Sequence, residues 1–126
     1  MTKTVRNLLL AATMFLPAHG FAADELGHTF NQALEAYERS HYADSVRLLE
    51  LAAAGNDARA QEMLGFMYLY GPALYGTAVP RNIDRARHWL QKAAAAGSEP
   101  ALYVLQRRSA KTAALRNGGG SSPGRN

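Results

Sequence analysis

The sequence predicts an all-α fold built from antiparallel helix pairs that stack on one another. Three observations predict it. Helix formers dominate, alanine above all, and no run rich in Val, Ile and Thr occurs. Apolar residues recur at i, i+3, i+4 and i+7 in successive segments, the spacing of one helix face. The string Leu48-Leu49-Glu50-Leu51-Ala52-Ala53-Ala54-Gly55 is echoed by Trp89-Leu90-Gln91-Lys92-Ala93-Ala94-Ala95-Ala96-Gly97. Short-linked helix pairs cannot bury their apolar faces alone, so repeated pairs stack.

The first residues stand apart from the fold. Lys3 and Arg6 precede a nine-residue apolar run, Leu8 to Leu16, which Pro17 breaks. Gly20-Phe21-Ala22 then offers small residues at the two positions a signal peptidase reads. Residues 1–22 are therefore expected to be a cleaved signal peptide of bacterial style, with the mature chain beginning at Ala23 and cleavage after Gly20 as a second choice. The run is far shorter than the ~20 residues a bilayer requires, so no transmembrane segment is expected after cleavage. A periplasmic or secreted protein follows. The absence of Cys suits an oxidising compartment and leaves residues 23–116 to hold together as one domain by packing alone.

Each element has its own signals. Phe30, Ala33, Leu34 and Tyr37 give one face of a first helix over 25–39, interrupted at Ser40-His41. A second helix runs from Tyr42 to Ala54, with Tyr42, Val46, Leu49 and Ala53 inward, and Gly55 is expected to take the left-handed cap. Asn56 or Asp57 caps a third, over 58–70, whose inner face is Ala60, Met63, Leu64, Met67 and Tyr68. Gly71-Pro72 stops it, and residues 72–81 are expected to form a loop. Asn82 caps a fourth helix over 83–96, with Asp84 in its first turn and Ala86, Trp89, Leu90 and Ala93 inward. Ser98 caps a fifth, with Pro100 tolerated in its first turn, and it becomes polar and basic along its length. Residues 117–126, rich in Gly and Ser, read as a flexible tail. Gly65, in mid-helix, costs about 1 kcal/mol relative to Ala, so a close contact with a neighbouring helix is expected there.

The ordered string Ala60, Leu64-Gly65, Met67-Tyr68, Gly71, Val79-Pro80, Asn82, Ala86, Trp89, Ala93-Ala94, Gly97 resembles the Sel-one-like repeat family, a tetratricopeptide-like group. Ala101, Tyr103 and Leu105 resemble the opening of a next repeat, and Tyr37, Tyr42 and Ala53 to Gly55 a degenerate preceding one. The resemblance covers about residues 30–106. It implies a short right-handed α-solenoid that acts as a protein–protein interaction scaffold. The chain departs from the family in its spacing: Gly55 and Gly97 lie 42 apart, and the excess falls in residues 71–78.

Charge is divided along the chain. Residues 23–80 carry three Arg against eight Asp and Glu, a net −5, whereas residues 81–126 carry nine Lys and Arg against two acids, a net +7. This describes either two solvated ends of unlike sign or a basic end that seeks an acidic surface. His28, His41 and His88 are scattered, no Gly-x-Ser-x-Gly element occurs, and the Gly118 to Gly120 run lacks the ending of a phosphate loop, so no catalytic residue, metal site or cofactor is expected. Arg59, Glu62, Phe66 and Leu69 fall opposite the inner face of the third helix. With Leu74 and Tyr75 of the enlarged loop, they are the candidate partner-binding residues, unless another helix of the stack covers Phe66 and Leu69. The expected function is an exported adaptor binding another protein. The alternatives are an enzyme such as a hydrolase acting on the cell envelope, and a binder of anionic envelope polymers through Arg107, Arg108, Lys111, Arg116 and Arg125. Export argues against nucleic acid as the partner.

Overall fold

The computed structural model describes residues 22–118. Residues 1–21, which hold nearly all of the expected signal peptide, and residues 119–126 lie outside the described residues. Among the described residues six helices follow one another: α1 (Ala23–Glu38), α2 (Tyr42–Ala54), α3 (Ala58–Tyr70), a single-turn α4 (Pro72–Tyr75), α5 (Ile83–Ala95) and α6 (Glu99–Gly118), with a short 3-10 turn at Gly76–Ala78 between α4 and α5. No strand occurs among the described residues, and none of their helices is long and apolar enough to cross a membrane. Each long helix packs on the next, α1 on α2, α2 on α3, α3 on α5 and α5 on α6, which is the stacked order expected of the repeat.

The helix starts follow from their capping residues. The Asp57 carboxylate accepts the Arg59 and Ala60 amides at 2.9 and 3.2 Å, the Asn82 side chain accepts the Arg85 amide at 3.0 Å, and Ser98 Oγ accepts the Ala101 amide at 3.1 Å. At the end of α2 the left-handed residue is Asn56, with φ +69°, while Gly55 keeps φ −79°. Gly55 serves instead by lacking a Cβ, because one there would run into the Leu26 side chain of α1.

Alanine builds the seams between helices. Ala33, Ala52, Ala53, Ala60, Ala86, Ala93 and Ala101 are all buried, and the larger side chains of the core are Leu49, Leu64, Met67, Tyr68 and Leu90. Two buried polar side chains are satisfied by backbone: Ser45 Oγ donates to the Ala33 carbonyl at 2.9 Å, and Gln61 Nε2 donates to the Ala53 carbonyl at 3.2 Å. Sequence periodicity did not place Ser45 inward. Trp89, expected on the inner face of α5, is only half-buried and lies edge-on to His88 with Lys92 over its ring.

The segment after α3 is a folded strut and not an open loop. Gly71 turns the chain at φ +51°, and a Cβ there would stand 2.6 Å from the Arg81 Cα, so only glycine fits. The Asn82 amide donates to the Tyr68 carbonyl at 2.9 Å and closes the segment back onto α3. Tyr75 and Val79 point into the core, and Leu74 points out. At the other end of the molecule, α6 extends to Gly118, so Asn117 and Gly118 are helical where the tail was expected to begin.

Gly65 makes the close contact expected of it. A Cβ at this position would approach Leu90 Cγ to 2.7 Å and the Leu90 amide nitrogen to 3.1 Å. Gly27, in the middle of α1, has nothing within 4 Å of its missing Cβ. The same substitution should therefore have opposite signs at the two sites. Gly65→Ala should destabilise by about 1–3 kcal/mol through overpacking against a buried leucine, despite its better helix propensity. Gly27→Ala should stabilise by about 0.5–1 kcal/mol. Thermal unfolding followed by circular dichroism separates them, and equal effects would show that α3 and α5 do not meet at Gly65.

Candidate functional site

The six candidate contact residues do not form one surface. The Arg59 guanidinium lies 4.3 Å above the Phe30 ring of α1 and pairs with Asp57 at 2.7 Å. Burial pushes the Asp57 carboxyl up. The Arg59 hydrogen bond, the Ala60 and Arg59 amides and the Arg59 charge together outweigh it and hold the group below the usual carboxylate value. Glu62 accepts Ser98 Oγ at 2.5 Å and so secures the start of α6. Phe66 is half-buried and stacks on Tyr70, with ring centroids 6.3 Å apart.

Leu69 and Tyr75 are buried, each 8% exposed, which corrects the expectation that both lie on an open face. Tyr75 closes a cluster with Tyr37 and Tyr42, at centroid distances of 5.9 and 5.1 Å, and its hydroxyl lies 3.5 Å from that of Tyr37. The enlarged segment thus braces the α1–α2 turn. Leu74 alone of the loop pair is open, at 59% exposure. A helical wheel gives the side of α3 on which Phe66 and Leu69 lie, but not which element comes to cover that side.

A second polar cluster ties three helices together. Tyr68 Oη of α3 donates to Glu50 Oε1 of α2 at 2.6 Å, and Arg85 Nη1 of α5 donates to Glu50 Oε1 at 3.1 Å and to Tyr68 Oη at 2.9 Å. The sequence offered no signal for this trio, since its members are 17 to 35 residues apart. It works as a structural clasp. Among the described residues no group of three or more His, Cys, Asp or Glu side chains is placed to hold a metal.

A concave feature lies elsewhere among the described residues. A cleft of about 670 Å³ opens between the end of α3, the start of α5 and the long α6. Leu69, Ile83, Leu90 and Leu105 supply an apolar floor, and Arg81, Arg87, Arg108, Lys111 and Arg116 stand around it. No acidic residue lines it. A smaller hollow of about 250 Å³, walled by Tyr70, Val104 and Arg107, shares Leu69, Arg81 and Arg108 with it. Of the six candidates only Leu69 belongs to this site, as part of the floor. The basic residues of α6 were visible in the sequence as a charge block. Their meeting with Arg81 and Arg87 over Leu90 and Ile83 was not, because it depends on the angle between α6 and α5. Such a cleft has the size and mixed lining of a binding site. Apolar floor and cationic rim suit a ligand that carries both apolar groups and negative charge.

Residues 58–98 match the family model of the Sel1 repeat. The match spans α3, the strut and α5 and ends at the Ser98 cap of α6. No curated protein and no solved structure matches the chain.

The tyrosine clusters give this region a measurable alkaline signature. Burial raises the Tyr68 hydroxyl pKa above its usual value; the bond to Glu50 raises it further, while Arg85 opposes the shift. Burial, then the contact with Tyr37, raises Tyr75 further still. A raised value in the folded chain favours the neutral phenol. The stability this represents is intact below about pH 10 and is lost as pH rises through the folded values. An absorbance titration should show two phenols ionising late in the folded protein and joining the others on unfolding. Tyr75→Phe should remove one of them.

Proposed function

We propose that this chain, a Sel1-like repeat protein, works as an exported adaptor without turnover and docks another protein on its α3/α5/α6 face. Sel1 repeats are helical modules of protein–protein interaction, and residues 58–98 supply one. The observation that carries the reading is the cleft: a cationic rim over an apolar floor, on the only long helix that is left largely bare on its outer length among the described residues. Docking requires complementary surface and not reactive groups. Export rests on the charged start, short apolar run and Gly-Phe-Ala step of residues 1–22. Cleavage before Ala23 is compatible with the described fold, since α1 begins at that residue.

A second reading, adhesion to anionic envelope polymers, is favoured by the composition of α6, where Arg107, Arg108, Lys111 and Arg116 face a single acid, Glu99. It differs in what it demands of the floor. Polymer binding depends on charge alone and falls steeply with salt, whereas protein docking uses the leucines as well.

Two measurements test the proposal. Protein recovered from the periplasmic fraction should have an intact mass corresponding to a chain that starts at Ala23; full-length chain there, or protein confined to the cytoplasm, would refute export. Capture from periplasmic extract should retain a partner protein at moderate salt. Leu105→Ser should weaken that capture by about 1–2 kcal/mol while preserving the helical signal. Capture indifferent to Leu105 but abolished by salt would favour the polymer reading.

A further inference from the structure

The cleft contains more information than its size. Its floor and rim make different demands on an occupant, and the pattern of ion pairs shows which charges are already used. Among the described residues, Arg39, Arg47, Arg59, Arg85 and Arg87 each pair with a carboxylate of the chain, at Glu35, Asp44, Asp57, Glu50 and Asp84. Arg108, Lys111 and Arg116, on the α6 bank of the cleft, have no such partner among them. With Arg81, whose guanidinium donates to the Leu69 carbonyl, four cations therefore face the cleft without a carboxylate partner among the described residues.

We infer that the cleft receives an acidic amphipathic segment of a partner protein, with apolar side chains on Ile83, Leu105 and Leu115 and carboxylates against Arg108, Lys111 and Arg116. This rests on the adaptor reading and adds the chemistry of the partner. A flat anionic membrane meets the rim but not the recessed part of the cleft, where Ile83 and Leu105 are only partly exposed. A polyanion without apolar side chains satisfies the cations and leaves Ile83, Leu105 and Leu115 wet. A second copy of this chain has acids on α1, at Asp24, Glu25, Glu35 and Glu38, but its apolar residues there are already committed to the core, apart from the half-open Leu34. A separate segment with leucines on one side and carboxylates beside them meets both demands. The α6 bank from Leu105 to Arg116 is about 16 Å long, which corresponds to a helical segment of about 12 residues.

The test uses protein purified from cells expressing the full chain and fluorescently labelled peptides of about 12 residues, read by anisotropy. The first probe has leucines at helical spacing i, i+3, i+4 and i+7 with glutamates between them. The second replaces its leucines by serine, and the third its glutamates by lysine. The first should bind at least tenfold more tightly than either of the others. Arg108→Glu/Lys111→Glu should weaken it at least tenfold, while Arg39→Glu/Arg47→Glu, an equal change in net charge away from the cleft, should not. Equal binding of the first two probes, preference for phosphatidylglycerol vesicles, or indifference to the Arg108/Lys111 reversal would overturn the inference. Concentration-dependent self-association that displaces the first probe would assign the cleft to a second copy and overturn it too. The adaptor reading stands or falls separately: a partner captured from periplasmic extract equally by native protein and by Arg108→Glu/Lys111→Glu keeps the adaptor and removes the cleft as its dock.

Discussion

The distance between α3 and α5 is set by an absent methyl group. Because residue 65 has no Cβ, the Leu90 side chain and its backbone nitrogen come up against α3 directly. That contact holds the two helices of the central pair at close range, with the buried alanines at 60, 86 and 93 along the same seam. Much else depends on it. Tyr68 can reach both Glu50 behind it and Arg85 in front only while α5 lies close. The strut from Gly71 to Asn82 is cut to the same gap, since the Asn82 amide must return to the Tyr68 carbonyl. The cleft inherits the arrangement as well, for Leu69 and Leu90 share its floor.

The fold was legible wherever the deciding interaction is local. Asp57, Asn82 and Ser98 cap their helices through bonds that span two or three residues, and a cap of that kind can be read from a string of letters. The repeated Ala-Gly strings marked the seams for a related reason: small residues have few roles other than close approach. Prediction failed where a third element decided the outcome. Tyr75 belongs to a loop by composition and to the core by its contacts with Tyr37 and Tyr42. Gly55 was expected to supply the left-handed turn, but Asn56 supplies it and leaves the glycine to make room for Leu26. In the candidate site, the charge of α6 could be read and its placement could not, since no sequence period reports the angle at which a last helix leaves the stack.

Stack and cleft divide the work of the molecule. The central pair is the conventional part: it matches the Sel1 repeat model, and its residues are committed to holding helices together. Even its enlarged connection is spent on bracing, and of that segment's large apolar side chains only Leu74 is left well exposed. What is particular to this chain lies where the repeat has ended. Glu35, Asp44, Glu50 and Asp57 of the first half are drawn into ion pairs, and Arg107, Arg108, Lys111 and Arg116 gather on the helix that follows without such partners among the described residues. The uneven charge along the chain thereby becomes a local property of one concave surface.

That last helix is also unequal along its own length. At 20 residues against 13 for α3 and α5, it is roughly 10 Å longer than the helices it rests on. After Leu105 almost every residue is exposed, and Leu115 is 71% open to solvent. Its amides there are guarded by little more than their own helical bonds, so they exchange with water through local fraying, whereas those around Gly65 exchange only through openings that approach the whole fold. The cleft consequently has one firm bank and one yielding bank. A yielding bank adjusts to guests of different girth and loses disorder when one settles, which makes it a poor judge of shape and leaves the pairing of charge with apolar groups to do the selecting.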